Sequence, residues 1–181
     1  MKENNEIAIF GGGCFWCTEA TFSQLKGVNK VTPGFAGGTG DVNYEKIHSD
    51  NTGHAEMIEV TFDPEIISYD DLLSVFFTIH DPTTINKQGA DVGTEYRSMI
   101  LYTSDDQKTK AEAMIKKLND DNKTYDMPIV TEIKPLDKFI KAEDYHHNYY
   151  ENNKDQPYCQ IVINPKLEKL KEKHAELLKI S

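Results

Sequence analysis

Phe10-Gly11-Gly12-Gly13-Cys14-Phe15-Trp16-Cys17-Thr18-Glu19 is the stretch on which the chain turns. The apolar run Ile7-Ala8-Ile9-Phe10 before it predicts a short strand, and the spacing of Phe22 and Leu25 after it predicts a helix from Thr18 to Leu25. A thiol therefore stands where a strand ends and a helix begins. Successive glycines let the backbone turn tightly and come close to a ligand, while the free N–H groups and positive end of a helix favour an anion. For a cysteine that anion is its own thiolate. Cys14 is the first candidate nucleophile, with a pKa expected below the ordinary thiol value.

Outward from this turn, Val28 to Phe35 reads as a second strand, with Pro33-Gly34 expected to mark a bulge or an edge. The glycine-rich run Ala36-Gly37-Gly38-Thr39-Gly40-Asp41-Val42-Asn43-Tyr44 reads as an irregular loop of the length that often carries function. A clear strand follows from Ala55 to Phe62, in which Glu56 falls on the same face as Ile58 and Val60. A carboxyl there must be paired, protonated or catalytic. A salt bridge to Arg97 is the plain structural reading.

Ser68 with Asp71, and Ser104 with Gln107, are capping-box patterns that open helices over Tyr69–Thr78 and onward to Asn119. Between them lie an irregular segment from Ile85 to Glu95 and the strand Ser98 to Tyr102. Ile129 to Ile133 reads as a strand, Phe139 to Asn152 as mostly helix, and Tyr158 to Ile163 as a last strand. Leu167, Leu170, Leu177 and Leu178 predict a charged amphipathic helix from Lys166 to Ile180. The expectation is one α+β domain over residues 1–181, with a core of about 7–163, helices packed on a mixed, largely antiparallel sheet, and the C-terminal helix after it.

The 181 residues can bury a continuous core, and no Pro/Gly/Ser linker divides them. Thirty acidic against 20 basic residues leave a net charge of −10, which argues against nucleic acid or an anionic membrane as partner. Without an apolar leader or a spanning segment, a cytoplasmic address is the default expectation. A monomer is expected, since no coiled coil is evident. Three cysteines in a reducing compartment are not a disulfide framework.

Cys14 and Cys17 have Cys-x-x-Cys spacing, which fits a redox dithiol, half a zinc site or buried thiols. Zinc would need two further ligands, and adjacent His146 and His147 on a helix point about 100° apart. Redox or nucleophilic use is the better reading, with no metal. Phe15 and Trp16, the latter the only tryptophan, either line a small apolar pocket beside the thiol or belong to the core. Tyr44, Tyr96 and Asp91 lie in the irregular segments, where hydroxyls can aim at a polar oxygen or simply cover a core edge. The tyrosines and histidines from Tyr145 to Tyr158 read as surface packing.

Gly13-Cys14-Phe15-Trp16-Cys17, Gly34-Phe35-Ala36-Gly37-Gly38, Tyr44, Thr52-Gly53-His54-Ala55-Glu56, Gly93-Thr94-Glu95-Tyr96-Arg97-Ser98 and Ala142-Glu143-Asp144-Tyr145-His146 occur in an order that resembles peptide-methionine (S)-S-oxide reductase, the A-type methionine sulfoxide reductase. The match runs from about Ile7 to Ile163. It implies a ferredoxin-like two-layer core and reduction of the S epimer of methionine sulfoxide, free or in oxidised proteins, as repair of oxidative damage. By the resemblance Cys14 is the nucleophile and Glu56 the general acid, Tyr44 and Tyr96 bind the sulfoxide oxygen, Asp91 supports the site, and Phe15 and Trp16 hold the substrate methyl. Cys14 would become a sulfenic acid, resolved by Cys17 or Cys159. No metal, flavin or nicotinamide is implied; electrons would come from thioredoxin, or from dithiothreitol in vitro. A general thioredoxin-like disulfide oxidoreductase using Cys14 and Cys17 is the alternative, and a zinc- or peptide-binding module a third reading.

Overall fold

A computed structural model describes residues 4–49 and 52–179. Alternating apolar positions build the sheet. In β1 (Glu6–Gly11), Ala8 and Phe10 face one apolar cluster while Ile9 faces another. In β3 (Ala55–Phe62), Ile58, Val60 and Phe62 join the first cluster, and Ala55 and Met57 the second. Both faces of the sheet are thus covered. The first cluster lies under α1 (Phe15–Phe22) and α3 (Tyr69–Ile79), where Phe76 stacks on Phe10 at 5.0 Å between ring centres.

The remaining elements are β2 (Val28–Ala36), α2 (Tyr44–Ser49), β4 (Lys87–Gln88), β5 (Asp91–Val92), β6 (Met99–Tyr102), α4 (Asp105–Asp120), β7 (Glu132–Pro135), β8 (Phe139–Lys141), α5 (Tyr149–Asn152) and α6 (Asn164–His174). The main sheet has the order β7-β6-β1-β3-β2-β8, and all its pairs are antiparallel except β6 with β7. Within it, β1-α1-β2-β3-α3-β6 with the spatial order β6-β1-β3-β2 is the ferredoxin-like arrangement expected. Caps are where the side chains predicted them: Ser68 and Asp71 form a reciprocal capping box on α3, and Ser104 Oγ accepts the Gln107 N–H of α4.

Several local expectations are corrected. Helix α1 starts at Phe15, three residues early, so Cys14 is its N-cap and Cys17 lies inside its first turn. The bulge in β2 falls between Val28 and Lys30, and Pro33-Gly34 sits inside the ladder between β3 and β8. There the Pro33 carbonyl accepts from Ala142 N–H at 2.9 Å. Gly34 is needed for close approach, because a Cβ would lie 2.5 Å from the Ile140 carbonyl oxygen. The strand expected at Ile129 begins at Glu132, where it pairs in parallel with β6.

The stretch from Phe139 to Asn152 is not one helix. Phe139–Lys141 pairs with β2, a 3₁₀ turn covers Asp144–His146, and Asn148 takes a left-handed conformation (φ 55°) before α5. The last strand is also absent: Cys159–Ile163 is a turn of π-helix that runs directly into α6. Cys159 and Ile163 are buried at a four-residue spacing while Ile161 is exposed, so a helical stripe had the look of strand alternation. Helix α6 packs on α3 and buries Leu170 in the main core, after which Ala175–Leu177 forms a 3₁₀ turn. The predicted end of that helix at Ile180 lies outside the described residues. Among the described residues, no helix is long and apolar enough to cross a membrane.

Candidate active site

The glycine turn delivers Cys14 to the tip of α1. Gly13 has φ +95°, and a Cβ there would sit 2.7 Å from Cγ of Gln88, so glycine is required for the turn. The Cys14 carbonyl accepts the first helical bond, from Cys17 N–H at 3.1 Å. Its side chain is only 8% exposed. Glu56 reaches the same point from β3, on the inward face that alternation predicted, and is 2% exposed. Its Oε1 accepts the Phe15 backbone N–H at 3.2 Å, and its Oε2 lies 3.9 Å from Nε2 of His48. Arg97 is not its partner; that guanidinium donates to the Thr94 and Gly53 carbonyls and lies 3.5 Å from Glu132.

Burial pushes the Glu56 carboxyl up from 4.5 to about 8; the charges of Glu95 and Asp91 add to the rise, and the Phe15 N–H opposes it. The carboxyl proton is therefore retained near neutral pH. The Tyr44 hydroxyl is held well above its ordinary value by burial, then by Glu56 and Cys14. For Tyr96, burial acts first and then Glu56, Asp91 and Cys14. Both phenols thus stay donors over the working pH range.

The thiols depart from expectation. Burial raises the Cys14 pKa well above the ordinary thiol value, and the hydrogen bond with Cys17 and the charge of Glu56 raise it further. The hydrogen bond from Cys14 instead lowers Cys17 from 9.0 to about 7, helped by Lys166 and Tyr158 against its burial. The lowered thiol pKa thus falls on Cys17, one turn inside the helix, and not on Cys14 at its tip.

Asp91, on β5, accepts the Tyr158 hydroxyl at 2.9 Å, and the Tyr158 oxygen lies 3.6 Å from Cys17 Sγ. Cys159 is fully buried, and it shares one apolar cluster with Cys14 and Cys17, flanked by Trp16, Tyr96, Tyr149 and Tyr158. All three thiols are free. Phe15 is completely buried against Phe35, Tyr44 and His146, so Trp16 presents the half-buried aromatic face beside Cys14. The candidate site is thus roofed with rings. A cavity of about 680 Å³ lined by Asp81, Tyr125, Lys166 and Lys169 lies elsewhere and contains none of the candidate residues.

The segment read as surface packing belongs to the site. His146 is 1% exposed and accepts the Trp16 indole N–H at Nδ1, 3.1 Å away. Tyr149 stacks on Trp16 at 3.8 Å with an interplanar angle of 8°, and Tyr158 meets it edge-on at 5.8 Å. Glu19 was likewise unremarked; it is 3% exposed, its Oε2 has no hydrogen-bond partner, and the backbone N–H groups of Asn148 and Tyr149 lie close enough to oppose the rise of its pKa. Burial pushes its carboxyl up to about 7. The available signal was the density of aromatic and histidine residues between Tyr145 and Tyr150, too great for an ordinary wet surface. Among the described residues no cluster of three or more His, Cys, Asp or Glu is disposed to hold a metal.

Residues 6–178 match the family model described as peptide methionine sulfoxide reductase. The chain belongs to that family. It is 49% identical to the peptide methionine sulfoxide reductase MsrA of Saccharolobus solfataricus, over 97% of this chain and 98% of the relative. The MsrA of Sulfolobus acidocaldarius is 52% identical over 91% and 92%, and that of Acinetobacter baumannii strain AYE 52% over 95% and 98%. Among solved structures, reduced Mxr1 from Saccharomyces cerevisiae aligns with a TM-score of 0.79 at 29% identity, covering 88% of this chain and 91% of that one. Methionine sulfoxide reductase A of Corynebacterium diphtheriae aligns with a TM-score of 0.74 at 32% identity, over 85% and 77%. Membership of the MsrA family makes the protein an oxidoreductase acting on methionine sulfoxide.

Proposed function

We propose that the protein reduces the S epimer of methionine sulfoxide, in oxidised proteins and as the free amino acid, by thiol chemistry at Cys14. The observation that carries this reading is the buried carboxyl of Glu56 held at the tip of α1 beside Cys14 by the Phe15 N–H. A sulfoxide sulfur becomes electrophilic as its oxygen takes a proton, and a buried carboxylic acid is the group to supply it. Cys14 sulfur attacks the sulfoxide sulfur while Glu56 protonates the oxygen and the phenols of Tyr44 and Tyr96 donate to it. Oxygen then passes to Cys14, which becomes a sulfenic acid, and methionine leaves. The thiol proton lost by Cys14 balances the proton Glu56 regains. Asp91 acts through Tyr158, whose oxygen faces Cys17. Trp16 receives the substrate methyl group, and Phe15 backs that wall from the core.

Cys17 is the resolving thiol of this proposal, since it lies one helical turn from Cys14 in the same buried cluster and its pKa is lowered. Its attack on the sulfenic acid forms a Cys14–Cys17 disulfide and releases water. Cys159, in the same cluster, is placed for a later exchange with that disulfide. Thiols carry both electrons, so the reaction calls on no metal, flavin or nicotinamide. Thioredoxin is the proposed reductant, with dithiothreitol its substitute in an assay; the fold neighbour Mxr1 is known in complex with Trx2.

The test is mass spectrometry after mixing with one equivalent of methionine S-sulfoxide in the absence of reductant. Loss of two hydrogens with a mapped Cys14–Cys17 bond supports the full reading. A Cys14–Cys159 bond moves the resolving role to Cys159, and an oxygen retained on Cys14 removes the resolving step. No change with the S epimer refutes the assignment.

A further inference from the structure

Trp16 carries a donor but no acceptor on its indole ring, so its Nε1–H can be satisfied only by an unprotonated atom. That atom is Nδ1 of His146, 3.1 Å away across 130 residues of sequence. The imidazole must then carry its hydrogen on Nε2, which lies 3.4 Å from Oε2 of Glu143, within ion-pair distance but without a hydrogen bond to it. The other oxygen of the same carboxylate, Oε1, accepts the backbone N–H of Tyr44 at 3.1 Å. One carboxylate therefore bonds the entry of α2, which carries Tyr44, and lies beside the imidazole that holds Trp16.

We propose that His146 is a positioning residue whose Nδ1 fixes the Trp16 face that receives the methyl group of the sulfoxide. This rests on the reading of Trp16 as a wall of the substrate site. The placement of His146 at the centre of the rings agrees with it. Its ring centre lies 4.3 Å from Tyr44, 5.2 Å from Phe15 and 5.8 Å from Trp16. The 3₁₀ turn that presents it is closed by its own N–H to the Glu143 carbonyl at 3.0 Å. Burial holds the imidazole below its ordinary value, with Glu143 opposing, so the accepting neutral form prevails near neutral pH. Without the acceptor a buried indole N–H loses its partner, and the ring is free to turn away from the thiol.

The experiment compares His146→Leu, which removes the acceptor, with His146→Asn, whose Oδ1 falls close to the position of Nδ1. KM for methionine S-sulfoxide is expected to rise about tenfold in the leucine variant, the scale of one buried hydrogen bond lost. The single-turnover rate constant at saturating sulfoxide is expected to stay within about twofold, and asparagine is expected to recover most of the KM. An unchanged KM in the leucine variant, a loss confined to the rate constant, or an asparagine variant no better than leucine overturns the proposal. A second measurement needs only the unaltered protein. Nitrogen-15 NMR should show His146 unprotonated at Nδ1 and protonated at Nε2, with coupling across the hydrogen bond to the single indole nitrogen; the opposite tautomer overturns the proposal. Absence of sulfoxide reduction by the unaltered protein would instead defeat the proposed function, while the NMR result still decides the hydrogen bond.

Discussion

The backbone N–H of Phe15 donates to Oε1 of Glu56 at 3.2 Å, joining the first residue of the helix that bears Cys14 to the second residue of a central strand. The carboxyl is thereby aimed at the helix tip with one of its two oxygens already occupied. Its raised pKa makes it an acid below about pH 8 and a poor one above. The single-turnover rate of sulfoxide reduction should be flat around neutrality and fall as pH passes about 8, following loss of the Glu56 proton. Glu56→Gln should lower that rate about 100-fold or more, the usual range for a general acid. The deficit should narrow above about pH 8, where unaltered Glu56 is itself ionised. A deficit that stays constant through that range would remove Glu56 from the acid role.

The same carboxyl makes a stability prediction with a definite sign. Between 4.5 and about 8 the folded protein keeps a proton on Glu56 that the unfolded chain has released, so stability contributed by this group is complete below the lower value and is lost as pH rises through the upper. Glu56→Gln has no charge to bury. It should match the unaltered protein below about pH 4.5 and become increasingly the more stable of the two as pH climbs to about 8, with a ceiling of roughly 5 kcal/mol. Denaturant unfolding of both proteins at the two pH extremes checks this. Equal stability at alkaline pH would mean that Glu56 ionises without penalty.

A thiolate should appear at Cys17 before Cys14. Ultraviolet thiolate absorbance should titrate with a first step near pH 7 in the unaltered protein, since Cys17 is lowered to about 7 by its hydrogen bond from Cys14. Cys17→Ser should abolish that step, and Cys14→Ala should shift it upward by removing the donor. Cys14→Ser should abolish sulfoxide reduction, whereas Cys17→Ser should retain a first turnover. Persistence of the neutral step in Cys17→Ser would assign it to another thiol.

The central motif was legible because each of its features is local. The glycine turn, the position of Cys14 and the inward face of Glu56 follow from rules that operate over a few residues, and β3 keeps strict alternation across all of them. The thiol pKa values were not legible, because they depend on which of two buried sulfurs donates to the other. The segment from Phe139 to Ile163 misled for a different reason. Its local pattern suits helix and strand about equally, and what decides it is pairing with β2 at one end and closure of the thiol cluster at the other. His146 reads as a surface residue until Trp16, 130 positions away, is placed against it.

Glu19 tests how far that closure depends on one buried group. Its carboxyl lies beside the N–H groups of Asn148 and Tyr149 with Oε2 unpartnered, and the Tyr149 ring stacks directly on Trp16 at 3.8 Å. Asn148 holds a left-handed conformation (φ 55°), so the segment needs an anchor to keep its course. Glu19→Leu takes the acceptor away from beside both donors and should cost about 1 to 3 kcal/mol of stability, the scale of one buried donor left unmet. Glu19→Gln keeps an acceptor and should cost less. Because burial raises the carboxyl to about 7, the glutamate itself should lose stability as pH climbs from about 4.5 to 7, a slope the glutamine variant lacks. Emission from the single tryptophan should shift in Glu19→Leu as Tyr149 leaves its face. An unshifted emission in a folded Glu19→Leu protein would show that the stack stands without the carboxyl, and that the wall of the site is held from the His146 side alone.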